Sequence, residues 1–250
     1  MLKFNYRIKK LYKICDLRLV IYILKTKSKL RLLKGIAKNF DLSLKKRHFE
    51  LVNLFKDFSK LKSIDENWKN NTNRFLTWIS IFEKKYDRNS RIKILEIGSH
   101  QGHSALFFLW FFKKAQIDCV DIWDNIENKS EQIFDESLNE FSERLEKFKL
   151  LSSQFFVNKI KKRCIYDIIF IDGSHDAEDV LSDCLFAFAA LKINGLMIID
   201  DVFLKSEKRF QDNSLKAIDT FLNLKGRDIK IIKINSQLFI EKRFDARIIQ

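Results

Sequence analysis

Hydrophobic positions change period along the chain, and the change divides it. Between about residues 45 and 85, Phe49, Leu51, Leu54, Phe55 and Phe58, then Trp68, Phe75, Trp78 and Phe82, recur near the 3.6-residue period of an amphipathic helix. Short apolar runs follow. Ile92–Ile97 predicts a strand that stops at Gly98, with a helix over Ser104–Lys114 behind it. Ile117–Val120 predicts a second strand, Ser130–Lys147 a long polar amphipathic segment, Phe148–Leu151 a weak strand and Ser153–Lys162 a helix. Tyr166–Ile171 is a strongly apolar strand, Ala177–Leu191 its crossover helix and Leu196–Ile199 another buried strand. Apolar runs separated by helices predict a parallel sheet covered on both faces. The last two strands, Asp228–Ile234 and Gln237–Arg243, are joined by Asn235-Ser236, a link so short that only an antiparallel hairpin satisfies it.

The fold class read from this order is α/β: a Rossmann-like, doubly wound, mostly parallel seven-stranded sheet with a terminal antiparallel hairpin, preceded by an N-terminal helical region. Residues 1–88 are expected as a basic helical cap and 89–250 as the sheet domain. Charge supports the division. The chain has a formal net charge of +14, yet residues 1–50 carry 15 of its 47 Lys and Arg against three acids, Asp16, Asp41 and Glu50, and the rest is nearly neutral. A basic segment with interleaved apolar residues, Leu17–Leu24, fits a helical cap, a membrane-surface or partner-binding helix, or a nucleic-acid contact. Its uncharged run Leu19–Leu24 is too short for a signal-peptide core or a span of ~20 apolar residues. Cys15, Cys119, Cys164 and Cys184 form no Cys-x-x-Cys pair, which argues against a zinc site or a disulfide framework and favours a reduced, cytoplasmic setting, with peripheral contact at the inner membrane face as an option.

In a sheet of this kind ligands bind beyond the carboxyl ends of the strands. All four such ends are acidic: Glu96 with Gly98-Ser99-His100-Gln101-Gly102, then Asp121, then Asp172-Gly173-Ser174-His175, then Asp200-Asp201. Gly98 and Gly102 flank a turn into a helix, where small residues let backbone amides approach a ligand and the helix dipole favours it; a purely structural tight turn shows the same pattern. His100 stands where a dinucleotide fingerprint has its middle glycine, and no Gly-Lys-Ser/Thr phosphate loop occurs.

The run Ile-Leu-Glu-Ile-Gly-x-x-x-Gly-x-Ser, residues 94–104, resembles motif I of class I S-adenosylmethionine-dependent methyltransferases. That resemblance implies S-adenosyl-L-methionine as cofactor, bound by Glu96, Gly98, Ser99, Gly102, Ser104, Asp121, Ile122, Ser153 and Asp172, with Asp121 holding the ribose hydroxyls. A carboxylate there accepts two charge-assisted hydrogen bonds; a helix cap would use the same residue. Asp172, Asp200 and Asp201 end neighbouring strands, and acids so crowded call for a cation or donors. An all-oxygen set points to Mg²⁺, with Ca²⁺ or Mn²⁺ as alternatives, rather than zinc. His175, three residues past Asp172, is placed to take the proton of a substrate hydroxyl attacking the sulfonium methyl. His100 and His103, in the glycine turn, carry a weaker claim to chemistry.

Tyr166–His175, Asp179-Val180-Leu181-x-Asp183 and Leu191–Asp201 together resemble the macrocin-type O-methyltransferase group. The resemblance covers roughly residues 90–243. It implies Asp172, Asp200 and Asp201 as magnesium ligands and Asp172 and His175 as catalytic residues. Two departures stand out: Asn194 occupies a position where glycine is usual, and the insertion Ile122–Lys147 is long and polar. The expected function is magnesium-assisted O-methylation of a sugar, glycan or small-molecule hydroxyl. The alternatives are an RNA methyltransferase holding its substrate through residues 1–50, and a non-catalytic methyltransferase-like docking protein. A homo-oligomer fits any of them.

Overall fold

A computed structural model of the chain describes residues 44–70, 72–124, 129–160, 164–203 and 214–244. The basic segment 17–24, Cys15, most of the Val202–Asn213 loop and residues 125–128 of the 122–147 insertion lie outside them. In chain order the elements are α1 (Lys46–Lys60), α2 (Glu66–Asn70), α3 (Asn73–Lys85), β1 (Lys93–Ile97), α4 (His103–Phe111), β2 (Gln116–Asp121), α5 (Ser130–Leu138), β3 (Leu145–Lys149), α6 (Ser152–Asn158), β4 (Tyr166–Ile171), α7 (Ala177–Ala190), β5 (Leu191–Ile199), α8 (Ser214–Lys225), β6 (Ile229–Ile234) and β7 (Leu238–Lys242). Seven strands form one mixed sheet in the order β3-β2-β1-β4-β5-β7-β6, with β7 antiparallel to both β5 and β6. The expected parallel sheet with a terminal hairpin is therefore present. Among the described residues no helix is long and apolar enough to cross a membrane.

Two compact units divide the described chain, one made of residues within 42–161 with 166–169 and the other of residues within 162–165 and from 170 onward. In the first, β1 and β2 run parallel with Ile94 opposite Ile117 and Ile97 opposite Val120. Helix α4 is apolar on every side, and all its residues except Trp110 are buried, the signature of a helix enclosed by protein. Rings from α1 and α3 do the enclosing: Phe75 stacks on Phe107 at 4.1 Å, Trp78 on Phe108 at 4.8 Å, and Phe55 meets Phe107 edge-on at 5.0 Å. Such contacts add about 0.5–1.5 kcal/mol each beyond area burial. The helices before β1 are thus part of this unit's core.

One expectation needs correction here. The amphipathic segment from Ser130 is helical only to Leu138, passes through a 3-10 turn over Asn139–Arg144, and becomes strand β3 at Leu145. Pairing decides this: Leu145 lies opposite Ile117 and Lys149 opposite Asp121 on β2, and a whole ladder outweighs a weak helical period. As an edge strand β3 keeps its lysines outward, where Lys147 pairs with Asp135 at 2.7 Å and Lys149 with Glu131 at 2.5 Å.

In the second unit β5 starts at Leu191, five residues before the expected strand, because the chain turns within it. Asn194 adopts φ +62°, the left-handed conformation a glycine takes easily and asparagine tolerates. The departure from the family pattern is thereby accommodated. At the next position the reason for glycine is space, since a Cβ on Gly195 would sit 2.8 Å from the Lys192 carbonyl oxygen. Helix α8 was not anticipated, although Leu215, Ile218, Phe221 and Leu222 repeat at helical spacing. It buries that face, with Phe221 5.8 Å from Phe188 of α7.

Candidate active site

The end of β1 is tied to β2 by a hydrogen bond from the Gly98 N–H to the Val120 carbonyl, at 2.8 Å. Residues 99–102 then form a tight turn closed by the Gly102 N–H on the Ser99 carbonyl at 2.7 Å. Gly98 and Gly102 sit at φ +85° and +82°, and His100 between them at +46°. Gly102 is required twice over, by that φ and by neighbours: a Cβ would lie 2.6 Å from Leu138 and 2.9 Å from Phe134, both on α5. Part of the polar insertion therefore packs directly on the turn.

Asp121, at the end of β2, locks the turn from the side. Its Oδ2 accepts the His100 N–H and its Oδ1 the Trp123 N–H, each at 2.8 Å, and the Trp123 indole N–H donates to the His100 carbonyl at 2.8 Å. A carboxylate has about four acceptor sites, so both oxygens retain capacity for ribose hydroxyls. Ile122, the next residue, exposes 40% of its surface, an apolar platform beside the acid. Ser153 is exposed on α6, three residues after Leu150, whose N–H binds the Asp121 carbonyl at 3.0 Å.

Glu96 and Ser104 are placed differently from Asp121. Glu96 has no exposed surface; its carboxyl accepts a hydrogen bond from the Ser104 hydroxyl and, at 3.7 Å, from the Cys119 thiol. Burial pushes the Glu96 carboxyl up to about 7, against the Ser104 hydrogen bond that favours its ionised form. It braces strand and helix beneath the turn, with buried Ser99 above it. His103 is also buried, stacked on Phe55 at 5.5 Å, and neither ring nitrogen has a hydrogen-bond partner. Burial, with the charges of Arg74 and Lys69, pulls its imidazole down to about 3, so it is neutral at pH 7.

In the second unit the ends of β4 and β5 meet through the Asp200 N–H, which donates to the Ile171 carbonyl at 2.9 Å. Asp172 and His175 lie half-buried on the loop after β4. The Asp200 carboxylate is held by two donors: the Asp201 N–H on Oδ1 at 2.8 Å and the Gln237 side-chain amide on Oδ2 at 2.9 Å. Asp201 stands at φ +47°, with its Oδ2 3.8 Å from His175 Nε2. Asp172, Asp200 and Asp201, the expected magnesium ligands, follow the ends of β4 and β5. Among the described residues no three His, Cys, Asp or Glu side chains form a ready-made group for a metal. Hydrogen bonding engages Asp200, and Asp201 pairs with His175. The donors are of the hard-oxygen kind that magnesium takes, and Asp172, Asp200 and Asp201 are the residues that would hold it.

Gln101, Asp65, Trp123 and Gln237 are structural participants that sequence reasoning missed. Their partners lie up to 37 residues away, and no local spacing links them.

In an open α/β sheet, a glycine turn and an acid at adjacent strand ends lie where ligands of such folds bind. Residues 95–202 match the family described as a methyltransferase domain, a span just under half of the chain that contains the turn, Asp121, Asp172, His175 and the Asp200-Asp201 pair. Over that span the chain is similar to the methyltransferase-domain family, as its motifs implied. No curated protein matches the sequence. Among solved structures, the MycE methyltransferase from the mycinamycin biosynthetic pathway, in complex with Mg, SAH and mycinamycin VI, is similar with TM-score 0.52 and 20% identity over 67% of this chain and 48% of that one. A caffeoyl-CoA O-methyltransferase-like protein from Staphylococcus aureus gives TM-score 0.53 at 18% identity, over 77% and 92% of the two chains. The SAH-bound methyltransferase PaMTH1 of Podospora anserina gives 0.53 at 14%, over 78% and 88%. At these identities the likeness establishes the fold, and this chain spans about half the length of MycE.

Proposed function

We propose that the protein is an S-adenosylmethionine-dependent O-methyltransferase acting on a hydroxyl of a sugar, glycan or other small molecule. The observation that carries this reading is Asp121, whose two oxygens tie the β2 end to the glycine turn while keeping acceptor capacity for a vicinal diol. Gly98, Ser99 and Gly102 shape the turn, and Ile122 offers an apolar face for the adenine. When bound, S-adenosylmethionine supplies an electrophilic methyl on its sulfonium sulfur and leaves as S-adenosylhomocysteine.

On the acceptor side, the His175 imidazole takes the hydroxyl proton as the oxygen forms its bond to the methyl carbon and the sulfur–methyl bond breaks. The imidazolium so formed lies near the Asp201 carboxylate, which stabilises it by at most about 1 kcal/mol at this exposure. O-methylation is favoured over other acceptors by the names of similar structures, MycE and the caffeoyl-CoA O-methyltransferase-like protein, and by a histidine base suited to a hydroxyl.

Isothermal titration with S-adenosylhomocysteine tests the cofactor half. The unaltered protein is expected to bind, and Asp121→Ala to lose roughly 100-fold in affinity, about 2.7 kcal/mol, for two charge-assisted hydrogen bonds and a released turn. Equal affinity in the two proteins would remove the reading.

A further inference from the structure

The glycine turn is gripped from a second side, by a segment that precedes the family match. The Asp65 N–H donates to Gln101 Oε1 at 2.9 Å, and Gln101 Nε2 donates back to Asp65 Oδ2 at 2.6 Å. Gln101 is 2% exposed, so its amide depends on these partners, and a buried amide left without them costs roughly 1–3 kcal/mol. Asp65 is in turn built into the start of α2, its carbonyl accepting the N–H groups of Trp68 and Lys69 at 3.0 and 3.1 Å. One turn further on, the Trp68 ring lies 5.6 Å from that of His100, the residue whose N–H binds Asp121. The four-residue turn is thus fixed through consecutive residues: His100 by Asp121 and Trp123, Gln101 by Asp65.

We infer that Asp65 and Gln101 are positioning residues for S-adenosylmethionine, a role that rests on the cofactor assignment made above and extends it to the helical region before β1. Neither side chain needs to touch the ligand. Gln101 reaches out of the turn to Asp65, just before α2, and its reciprocal pair sets where the amides of residues 99–102 point. His100 is already in a left-handed conformation that a non-glycine residue adopts only when its surroundings impose it. Releasing one side of the turn lets the backbone relax, and the cofactor then meets amides out of register.

The experiment is titration of the full chain with S-adenosylhomocysteine, at a temperature where circular dichroism shows every variant folded. Asp65→Ala and Gln101→Ala are each expected to weaken binding roughly tenfold, and the double variant by no more than either alone, because both remove one linkage. Asp65→Asn, which keeps the backbone N–H and an oxygen to accept the Gln101 amide, is expected within twofold of the parent. Gln101→Glu sets two carboxylates against each other and is expected to lose binding; adding Asp65→Asn supplies a donor to the new carboxylate and restores it. A purely structural role would lower the unfolding midpoint without this pattern of loss and rescue. Full affinity in Asp65→Ala, or additive losses in the double variant, would overturn the inference while leaving the cofactor reading intact. If the alanine variants do not fold, the Gln101→Glu and Asp65→Asn pair decides, and failure of the pair to bind overturns the inference. Absence of binding by the parent chain would overturn the cofactor reading and this inference with it.

Discussion

The two strand-end sets differ in how firmly they are made. Around the glycine turn, Asp121 and Trp123 hold His100 and Asp65 holds Gln101 through hydrogen bonds of 2.6–2.9 Å, with Glu96 buried beneath. At the ends of β4 and β5, His175 and Asp201 are only partly buried and meet at 3.8 Å, and of the acids Asp200 is the one clamped by Gln237. Under the proposed function the difference matches the task each set would have. A cofactor common to many reactions suits a preformed turn, whereas groups that meet a variable acceptor stay accessible and adjustable.

The largest effect expected to sharpen this contrast is on turnover. His175→Ala should lower kcat by roughly 10²–10⁴-fold while leaving S-adenosylhomocysteine affinity within twofold, measured with radiolabelled methyl donor against a panel of glycosides and catechols. Loss of cofactor affinity in that variant would break the division of labour.

Next in size is a pH effect confined to the turn. Glu96 has a folded pKa of about 7, above its unfolded 4.5, so the folded state binds more protons between those values and stability falls as pH rises through them, by roughly 3 kcal/mol. His103 is depressed from 6.5 to about 3, so stability is lost as pH falls from 6.5 toward 3. The two slopes oppose each other between pH 4.5 and 6.5 and nearly cancel. Urea unfolding should therefore show a shallow profile there for the parent, a rise with pH for Glu96→Gln, and a fall with pH for His103→Phe. Parallel profiles in all three would show that these groups titrate as they do in the unfolded chain.

The smallest expected change is from chelation. Treatment with EDTA should leave S-adenosylhomocysteine affinity within twofold, since the turn and Asp121 offer the ligand hydrogen bonds and no metal. A larger drop, restored by added magnesium, would tie the acids of the second unit to cofactor binding.

Much of this was legible in advance because it is local. Strand periodicity, the glycine turn, and acids at four strand ends are written in consecutive residues, and the short link after Ile234 forced the hairpin. What escaped was long-range. Leu145 became strand because β2 offered it partners, Asp200 turned to Gln237 of the hairpin, and Gln101 found Asp65 across 36 residues.

By itself, then, the sequence determined the α/β class, most of the order of elements, the turn chemistry and which residues end the strands, since backbone propensity and hydrophobic period act over a few positions. Tertiary structure alone decided which of those end residues share hydrogen bonds, that Glu96 is buried under the turn rather than open at it, and that the Asp200 carboxylate accepts the Gln237 amide. Direction of a side chain depends on what packs around it, and that is settled only when distant segments meet.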